Sequence, residues 1–123
     1  MKSSSQLVAI VDDDRSVQSA VKDLMESAGL EAQCFGSAEE FLEPDQRHEM
    51  ACIVADVRMP GMSGLELQAK LNAEGSRIPI IFITAHGDAK MKMQALKAGA
   101  VEFLSKPFDD EVLLEKVRHA LKD

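Results

Sequence analysis

The sequence predicts an α/β fold in which five strand-then-helix units, written (βα)5, form a three-layer sandwich around a parallel sheet. Three observations support this fold class. Short apolar runs alternate with longer stretches in which apolar residues recur at helical spacing. Residues that favour helix ends stand at several of the boundaries. No internal repeat and no Pro/Gly/Ser-rich linker divides the 123 residues, which have the length of one domain.

The N-terminal part of the chain contains the first two units. Leu7–Val11 is an apolar run with three β-branched residues, too short for a helix and typical of a buried strand. Apolar residues then recur at helical spacing from Val17 to Ala28, and Gly29 suits the C-terminal end of that helix. Residues 31–35 have the pattern of a second strand, and the capping box Ser-Ala-Glu-Glu at 37–40 predicts the start of a second helix.

The remaining three units repeat this cycle. Their strands are predicted at Ala51–Ala55, Ile78–Thr84 and Val101–Leu104. Their helices are predicted from the capping box at 63–66 to about Ala73, from about Asp88 to Ala98, and from the acidic segment 109–111 to about Leu121.

The polarity of the strands predicts their order in the sheet. The first, third and fourth strands are apolar throughout, as expected of strands covered by helices on both faces. The second strand alternates between polar and apolar residues and the fifth contains Glu102, which places these two at the edges. The resulting order is 2-1-3-4-5. Because the winding of the sheet reverses between strands one and three, a ligand crevice is expected at their carboxyl ends.

Composition and charge exclude several classes of protein. The chain has 14 Lys plus Arg against 21 Asp plus Glu, a net charge of −7, which argues against a nucleic-acid-binding surface. Its apolar runs are too short to span a membrane, and no secretory signal precedes them. Cys34 and Cys52 lack any paired-cysteine motif and are interpreted as reduced core thiols. These features predict a cytoplasmic protein with no membrane partner.

Polar side chains follow the central strands at their carboxyl ends. Residues 12–14 are three consecutive aspartates, Asp56 follows strand three, Thr84 ends strand four and Lys106 follows strand five. Aspartates crowded into one crevice cannot all remain ionised without a cation. Mg²⁺ suits a site with one or two carboxylates and water, and Lys106 adds a fixed positive charge. Beside these cations, one carboxylate can attack a phosphoryl group as a nucleophile.

The motifs at these strand ends resemble those of the receiver domains of two-component response regulators, in the CheY-like superfamily. The resemblance extends from about Leu7 to Leu121 and implies that residues 1–123 form one receiver domain with a flavodoxin-like fold. Four segments are similar to the FixJ-like transcriptional regulators in particular: Val-Asp-Asp-Asp at 11–14, Asp-Val-Arg-Met-Pro-Gly-Met-Ser-Gly at 56–64, Thr-Ala-His-Gly-Asp at 84–88, and Lys-Ala-Gly-Ala-Val-Glu-Phe-Leu-Ser-Lys-Pro-Phe at 97–108.

The resemblance implies how the aspartates would act. Asp56 would accept a phosphoryl group from a sensor histidine kinase. Asp13 and Asp56 would bind Mg²⁺ directly, Asp12 would bind it through water, and the backbone carbonyl of Arg58 would supply a further oxygen. The domain would be a signalling module rather than an enzyme, with intrinsic phosphotransfer and autodephosphorylation.

The resemblance also implies how phosphorylation would be detected. Thr84 and Lys106 would bind the phosphoryl oxygens, and the Lys106–Pro107 bond would be cis. Phe103 matches the aromatic switch position, whose ring turns inward as Thr84 moves toward the phosphoryl group. The fourth helix, fifth strand and fifth helix would form the face used for phosphorylation-dependent homodimerisation. DNA would be contacted only through an output domain absent from this chain, of the helix-turn-helix type.

Some of these residues allow other interpretations. Asp14 suits a helix N-cap, and Phe103 also suits an ordinary core position. Arg58 and His86 could tune the access of water to the phosphoryl group or simply face solvent. A phosphohydrolase with an aspartyl nucleophile would need a second carboxylate where Arg58 stands. A flavin carrier would need hydrogen-bond donors where the chain has three aspartates, and a receiver-like module that signals without phosphorylation would not need the acid pair.

Overall fold

The computed structural model describes residues 7–43, 50–85 and 87–121, in which five strands alternate with five helices. The strands are β1 (Leu7–Val11), β2 (Glu31–Phe35), β3 (Cys52–Ala55), β4 (Ile80–Thr84) and β5 (Glu102–Ser105). The helices are α1 (Arg15–Ser27), α2 (Ala38–Phe41), α3 (Gly64–Ala73), α4 (Ala89–Lys97) and α5 (Asp110–Leu121). Within these described ranges, no helix has both the length and the apolar character needed to cross a membrane.

The strands form one parallel sheet in the order β2-β1-β3-β4-β5, which confirms the predicted topology. β1 and β3 pair in the centre, with Ile10 beside Val54 and Val11 beside Ala55. Strand polarity predicts this order correctly because β3 and β4 are buried at every position, whereas β2 and β5 have one buried residue each. The observed ends differ slightly from the predicted ones, and β4 begins only after Pro79.

Apolar side chains form a cluster on each face of the sheet, so that the molecule has three layers. On one face, Val8 and Ile10 of β1 pack with residues of α1 and α5. On the other face, Ala9 and Val11 pack with residues of α2, α3 and α4. Because successive strand residues point to opposite faces, the central strands contribute to both clusters. The predicted (βα)5 sandwich is therefore confirmed.

Of the two predicted capping boxes, the one at 63–66 forms completely and the one at 37–40 forms only in part. Ser63 and Glu66 form a complete capping box at α3, in which each side chain accepts the backbone N–H of the other residue. At α2, Ser37 accepts the Glu40 N–H, but the Glu40 carboxylate accepts the N–H of Gly36. The second half of the predicted box is wrong because the Glu40 side chain reaches one residue further back. α2 itself is a single short turn.

The two cysteines are free thiols that differ in burial. Cys52 is buried in β3, and this burial raises the pKa of its thiol to about 12. Cys34 is only partly buried because its strand lies at the edge of the sheet, although burial raises its pKa as well. The description as a core thiol therefore fits Cys52 fully and Cys34 in part.

Candidate functional site

The parallel sheet brings the predicted site residues together at the carboxyl ends of its strands. Asp12 follows β1 and Asp56 follows β3, and each donates its backbone N–H to a carbonyl of the neighbouring strand at 3.0 Å. Thr84 is the last residue of β4, and Lys106 comes directly after β5. The sheet therefore fixes the backbone from which each of these side chains projects.

Lys106 lies between the two buried aspartates. Its Nζ is 2.9 Å from Oδ2 of Asp56 and 3.1 Å from Oδ2 of Asp12. The Asp12 side chain is 1% exposed, that of Asp56 9% and that of Lys106 16%. The peptide bond between Lys106 and Pro107 is cis, as predicted. Residues from three strand ends thus form one ion-paired group that is largely shielded from water.

Burial and charge shift the pKa values within this group. Desolvation raises the pKa of Asp12 and the charge of Asp56 adds to the rise, whereas hydrogen bonds from the Asp14 N–H and from Lys106 oppose it. Burial lowers the pKa of Lys106, but its hydrogen bonds and charge interactions with the two aspartates outweigh this and raise it. Lys106 therefore stays protonated. One ammonium cannot balance two carboxylates, so the group favours a second cation.

A third aspartate completes a set of oxygen ligands. Carboxylate oxygens of Asp12, Asp13 and Asp56 all lie within 4.8 Å of one another, and Asp13 is exposed to solvent. Carboxylates with an open, hydrated side suit a hard divalent cation such as Mg²⁺, which binds few protein ligands and keeps several waters. The acidic pocket predicted from the sequence is present and is compatible with a divalent metal.

Hydrogen bonds within each loop orient the two buried carboxylates. Oδ1 of Asp12 accepts the Asp14 N–H at 2.9 Å, and Oδ1 of Asp56 accepts the Arg58 N–H at 3.2 Å. Each carboxylate therefore has one oxygen bonded inside its own loop and the other bonded to Lys106. This division leaves little freedom for either side chain to rotate.

Two further residues of these loops do not join the ion-paired group. The Asp14 side chain accepts the N–H groups of Ser16 and Val17 and so caps α1, which supports its interpretation as a cap. The Arg58 side chain is exposed. His86, the other residue considered for a role in water access, lies outside the described residues.

Thr84 and Phe103 both lie beside Gly87, in the space that a larger side chain would fill. Thr84 is 1% exposed, and its carbonyl accepts the Lys106 N–H at 2.9 Å. The Phe103 ring is buried, with its centroid 6.2 Å from that of Phe82. A Cβ added at Gly87 would lie 2.7 Å from both the Phe103 ring and the Thr84 methyl group. Glycine at this position therefore allows the aromatic ring to lie inward.

Three residues beside the site are given no individual role by the sequence. The Gln18 side chain of α1 donates to the Asp12 carbonyl at 2.6 Å, and the Glu39 carboxylate of α2 accepts the Met62 N–H at 2.9 Å. Gly87 makes room for the aromatic ring. These contacts depend on how the helices pack beside the loops, which helical spacing and strand polarity do not predict.

Known proteins share this sequence pattern. The family profile of the response regulator receiver domain matches residues 8–118. The response regulator protein TodT of Pseudomonas putida is 48% identical over 122 residues, a match that covers 99% of this chain and 54% of TodT. The transcriptional regulatory protein FixJ of Azorhizobium caulinodans is 45% identical over 114 residues, which covers 93% of this chain and 54% of FixJ. The chain spans about half the length of these curated relatives.

Solved structures share the fold. The response regulator StyR superposes with a TM-score of 0.89 at 48% identity, covering 97% of this chain and 60% of that chain. The structure of FixJ-N superposes with a TM-score of 0.85 at 40% identity, covering 99% of this chain and 96% of that chain. The profile match includes β1 from Val8 onward, the whole of β2 to β5, and the residues of the ion-paired group. On its sequence, its fold and the residues at its strand ends, the chain belongs to the response regulator receiver domain family.

Proposed function

We propose that this domain is a phosphorylation switch and that Asp56 is its phosphoacceptor, phosphorylated by a sensor histidine kinase in an Mg²⁺-dependent reaction. The observation that carries the proposal is the ion-paired group of Asp12, Asp56 and Lys106, assembled from three strand ends. A carboxylate beside an ammonium and a divalent cation is a suitable nucleophile for a phosphoryl group, because the two cations offset the charge on the phosphoryl oxygens.

The carboxylates and one backbone oxygen form the proposed metal site. Asp13 and Asp56 would bind Mg²⁺ directly and Asp12 through water, which agrees with the closeness of their carboxylate oxygens. The Arg58 carbonyl would supply a further ligand from the loop that follows Asp56. Bound Mg²⁺ would neutralise charge on the phosphoryl group. This set of oxygen donors fits the preference of Mg²⁺ for carboxylates, carbonyls and water.

The transfer step uses only groups of the site and the phosphorylated histidine of the kinase. A carboxylate oxygen of Asp56 forms a bond to phosphorus while the phosphorus–nitrogen bond of the donor breaks, and its electron pair remains on the imidazole nitrogen. Lys106 and the Thr84 hydroxyl would then bind phosphoryl oxygens. Hydrolysis of the acyl phosphate would return Asp56 to its original form. The domain would act as a signalling module, without turnover of an added substrate.

We assign the response to Phe103 and to the face formed by α4, β5 and α5. The Phe103 ring and the Thr84 methyl group both lie beside Gly87. Movement of Thr84 toward a phosphoryl group would therefore change the volume that the Phe103 ring can occupy. Within the described ranges, the exposed large apolar side chains all lie on α4 and α5: Met93, Leu96 and Val112. Exposed apolar groups support homodimerisation of the phosphorylated domain through this face.

An output domain outside residues 1–123 would convert this response into gene regulation. The curated relatives are about twice as long as the segment they share with this chain, and FixJ is named a transcriptional regulatory protein. These facts support a DNA-binding output domain, and the resemblance to the FixJ-like regulators implies that it is of the helix-turn-helix type. We place the domain in the cytoplasm, where it would meet both the kinase and the DNA.

Intact-mass spectrometry after incubation with acetyl phosphate and Mg²⁺ tests the proposal. The wild-type protein should gain the mass of one phosphoryl group, and EDTA should prevent this gain. Asp56→Asn should not gain it. Asp14→Asn is the matched control: asparagine also caps helices, so this variant should be phosphorylated like the wild type. Equal phosphorylation of Asp56→Asn and the wild type would show that Asp56 is not the acceptor.

A further inference from the structure

The loop between β3 and α3 contains the Arg58 carbonyl that we assign to the metal site. Helix α2 contacts this loop at Gly61 and Met62, which we call the crest of the loop. The Met62 N–H donates to Oε2 of Glu39 at 2.9 Å, across 23 residues of sequence. Gly61 lies directly beside the same carboxylate, since a Cβ added there would be 2.6 Å from Oε2. Gly61 also has a φ of +79°, which other residues rarely adopt. The crest is therefore shaped to receive the Glu39 carboxylate.

Helix α2 is held firmly enough to act as an anchor for the loop. Ala38 and Phe41 of α2 are fully buried. The Phe41 ring packs edge-to-face on Phe35, with 5.3 Å between the ring centroids. The backbone of Glu39 is thus fixed by the core on both sides of it in the chain, while its carboxylate remains at the surface, where it contacts the loop.

The loop can transmit the position of its crest to the site. At its base, the Gly64 N–H donates to the Val57 carbonyl at 2.8 Å, which closes the loop into a compact unit. Inside the base, the Arg58 N–H donates to the Asp56 carboxylate at 3.2 Å. Val57 is 2% exposed, so the backbone there has little freedom to absorb a displacement. A displacement of the crest would therefore move the Arg58 backbone relative to the Asp56 carboxylate.

We propose that Glu39 is a positioning residue for the metal site. By accepting the Met62 N–H, it holds the loop in the conformation in which the Arg58 carbonyl and the Asp56 carboxylate bind Mg²⁺ together. This inference rests on the proposed function. Loss of an outer-shell partner typically lowers metal affinity roughly 10- to 100-fold. Glu39 acts through an exposed hydrogen bond and a stretch of backbone, so its loss should lower Mg²⁺ affinity about three- to tenfold.

Calorimetric titration with Mg²⁺ tests this role on the wild-type protein and three variants. Glu39→Ala removes the acceptor and should bind Mg²⁺ about three- to tenfold more weakly. Glu39→Gln removes the charge but keeps an acceptor oxygen, so its affinity should stay within about twofold of the wild type. Glu40→Ala is the matched control: it removes an equal charge from the same helix, but its carboxylate bonds Gly36 and not the loop. Its affinity should also stay within about twofold.

The amide proton of Met62 gives a second readout, which needs no metal. A hydrogen bond to a carboxylate moves an amide proton downfield in its NMR spectrum. In EDTA, this resonance should move upfield in Glu39→Ala and change much less in Glu39→Gln and Glu40→Ala. A purely structural role of Glu39 would instead lower thermal stability and leave Mg²⁺ affinity unchanged.

The outcomes separate this inference from the function on which it rests. Equal Mg²⁺ affinity of Glu39→Ala and the wild type would overturn the inference and leave the proposed function intact. Equal losses in Glu39→Ala and Glu40→Ala, or a Glu39→Gln variant as weak as Glu39→Ala, would also overturn it, because charge and not the hydrogen bond would be responsible. A wild-type protein that binds no Mg²⁺ would contradict the proposed function itself, and the inference with it.

Discussion

The site has two sides that are held in different ways. In the loops after β1 and β3, which we call the carboxylate side, backbone N–H groups bond to side-chain oxygens such as those of Asp12 and Asp56. In the loop after β4, which we call the α4 side, Gly87 lies against the Phe103 ring and the Thr84 methyl group, and Asp88 forms the hydrogen bonds of the α4 cap. Hydrogen bonds thus orient the two buried carboxylates, whereas apolar groups surround Gly87 beside Thr84.

Under the proposed function, this difference would separate binding from response. Hydrogen bonds fix distance and direction, so the carboxylate side is suited to hold a metal ion and a phosphoryl group in place. Packed side chains can exchange one arrangement for another, so the α4 side is suited to change when Thr84 moves. Under the proposed function, one sheet would combine a rigidly held phosphoacceptor with a neighbouring loop that can rearrange.

Helix α4 shows the same contrast between its own ends. At its C-terminal end, the Gln68 side chain of α3 donates to the Ala95 carbonyl at 3.0 Å, and the Asn72 side chain donates to the Ala98 carbonyl at 2.9 Å. At its N-terminal end, the cap is local and comes from Asp88. Side-chain hydrogen bonds from α3 thus hold the end of α4 that is farther from Thr84, whereas the cap at the nearer end comes from the residue next to the helix.

The largest expected effect is at Gly64, on the carboxylate side. An added Cβ would fall well inside contact distance of the Asp56 carbonyl oxygen and 2.9 Å from the Phe82 ring. A backbone carbonyl cannot turn aside as a side chain can, so Gly64→Ala should lower the free energy of unfolding by about 3 kcal/mol or more. Urea unfolding measures this loss.

Gly75→Ala is the matched control for this change. Its Cβ would meet nothing within 4 Å, and its cost should come from the positive φ alone, about 1 kcal/mol. If Gly64→Ala lowered the free energy of unfolding no more than Gly75→Ala, the Asp56 backbone would be able to move away from the added Cβ. The conclusion that the carboxylate side is the more rigid of the two would then be wrong.

Gly87→Ala should have a smaller effect, because the neighbours of its Cβ belong to side chains. The Phe103 ring and the Thr84 methyl group can both turn to make room, so the free energy of unfolding should fall by only about 1 kcal/mol. The affinity for Mg²⁺ should stay within about twofold of the wild type, because the carboxylate side is held by its own hydrogen bonds. Urea unfolding and calorimetric titration measure the two quantities.

A second substitution tests whether the Phe103 ring is the group that moves to accommodate a Cβ at position 87. In a Phe103→Leu background, the smaller side chain should reduce the cost of Gly87→Ala, and this coupling is measured by the same unfolding experiment on the double variant. An equal cost in both backgrounds would mean that the aromatic ring is not what Gly87 accommodates.

The sequence predicts the ion-paired group better than the contacts that surround it, for a physical reason. Asp12, Asp56 and Lys106 follow strands of one parallel sheet, and the carboxyl ends of such strands meet at one edge, so topology alone brings these residues together. The contact between Glu39 and Met62 depends on how α2 packs. Glu39 and Glu40 stand side by side in the short helix α2, and the sequence of the capping box does not indicate which of the two carboxylates contacts the loop after β3.

The smallest expected effect concerns the anchored end of α4. Asn72→Ala removes one exposed hydrogen bond to the Ala98 carbonyl, so the free energy of unfolding should fall by only about 0.5 kcal/mol. Amide hydrogen exchange in the last turn of α4 should nevertheless become faster, because local opening no longer has to break this bond. Gln94→Ala is the control, since it removes an exposed amide from α4 itself and should leave this exchange unchanged. If exchange in Asn72→Ala were as slow as in the wild type, α3 would not anchor this end, and the proposed contrast between the two ends of α4 would be wrong.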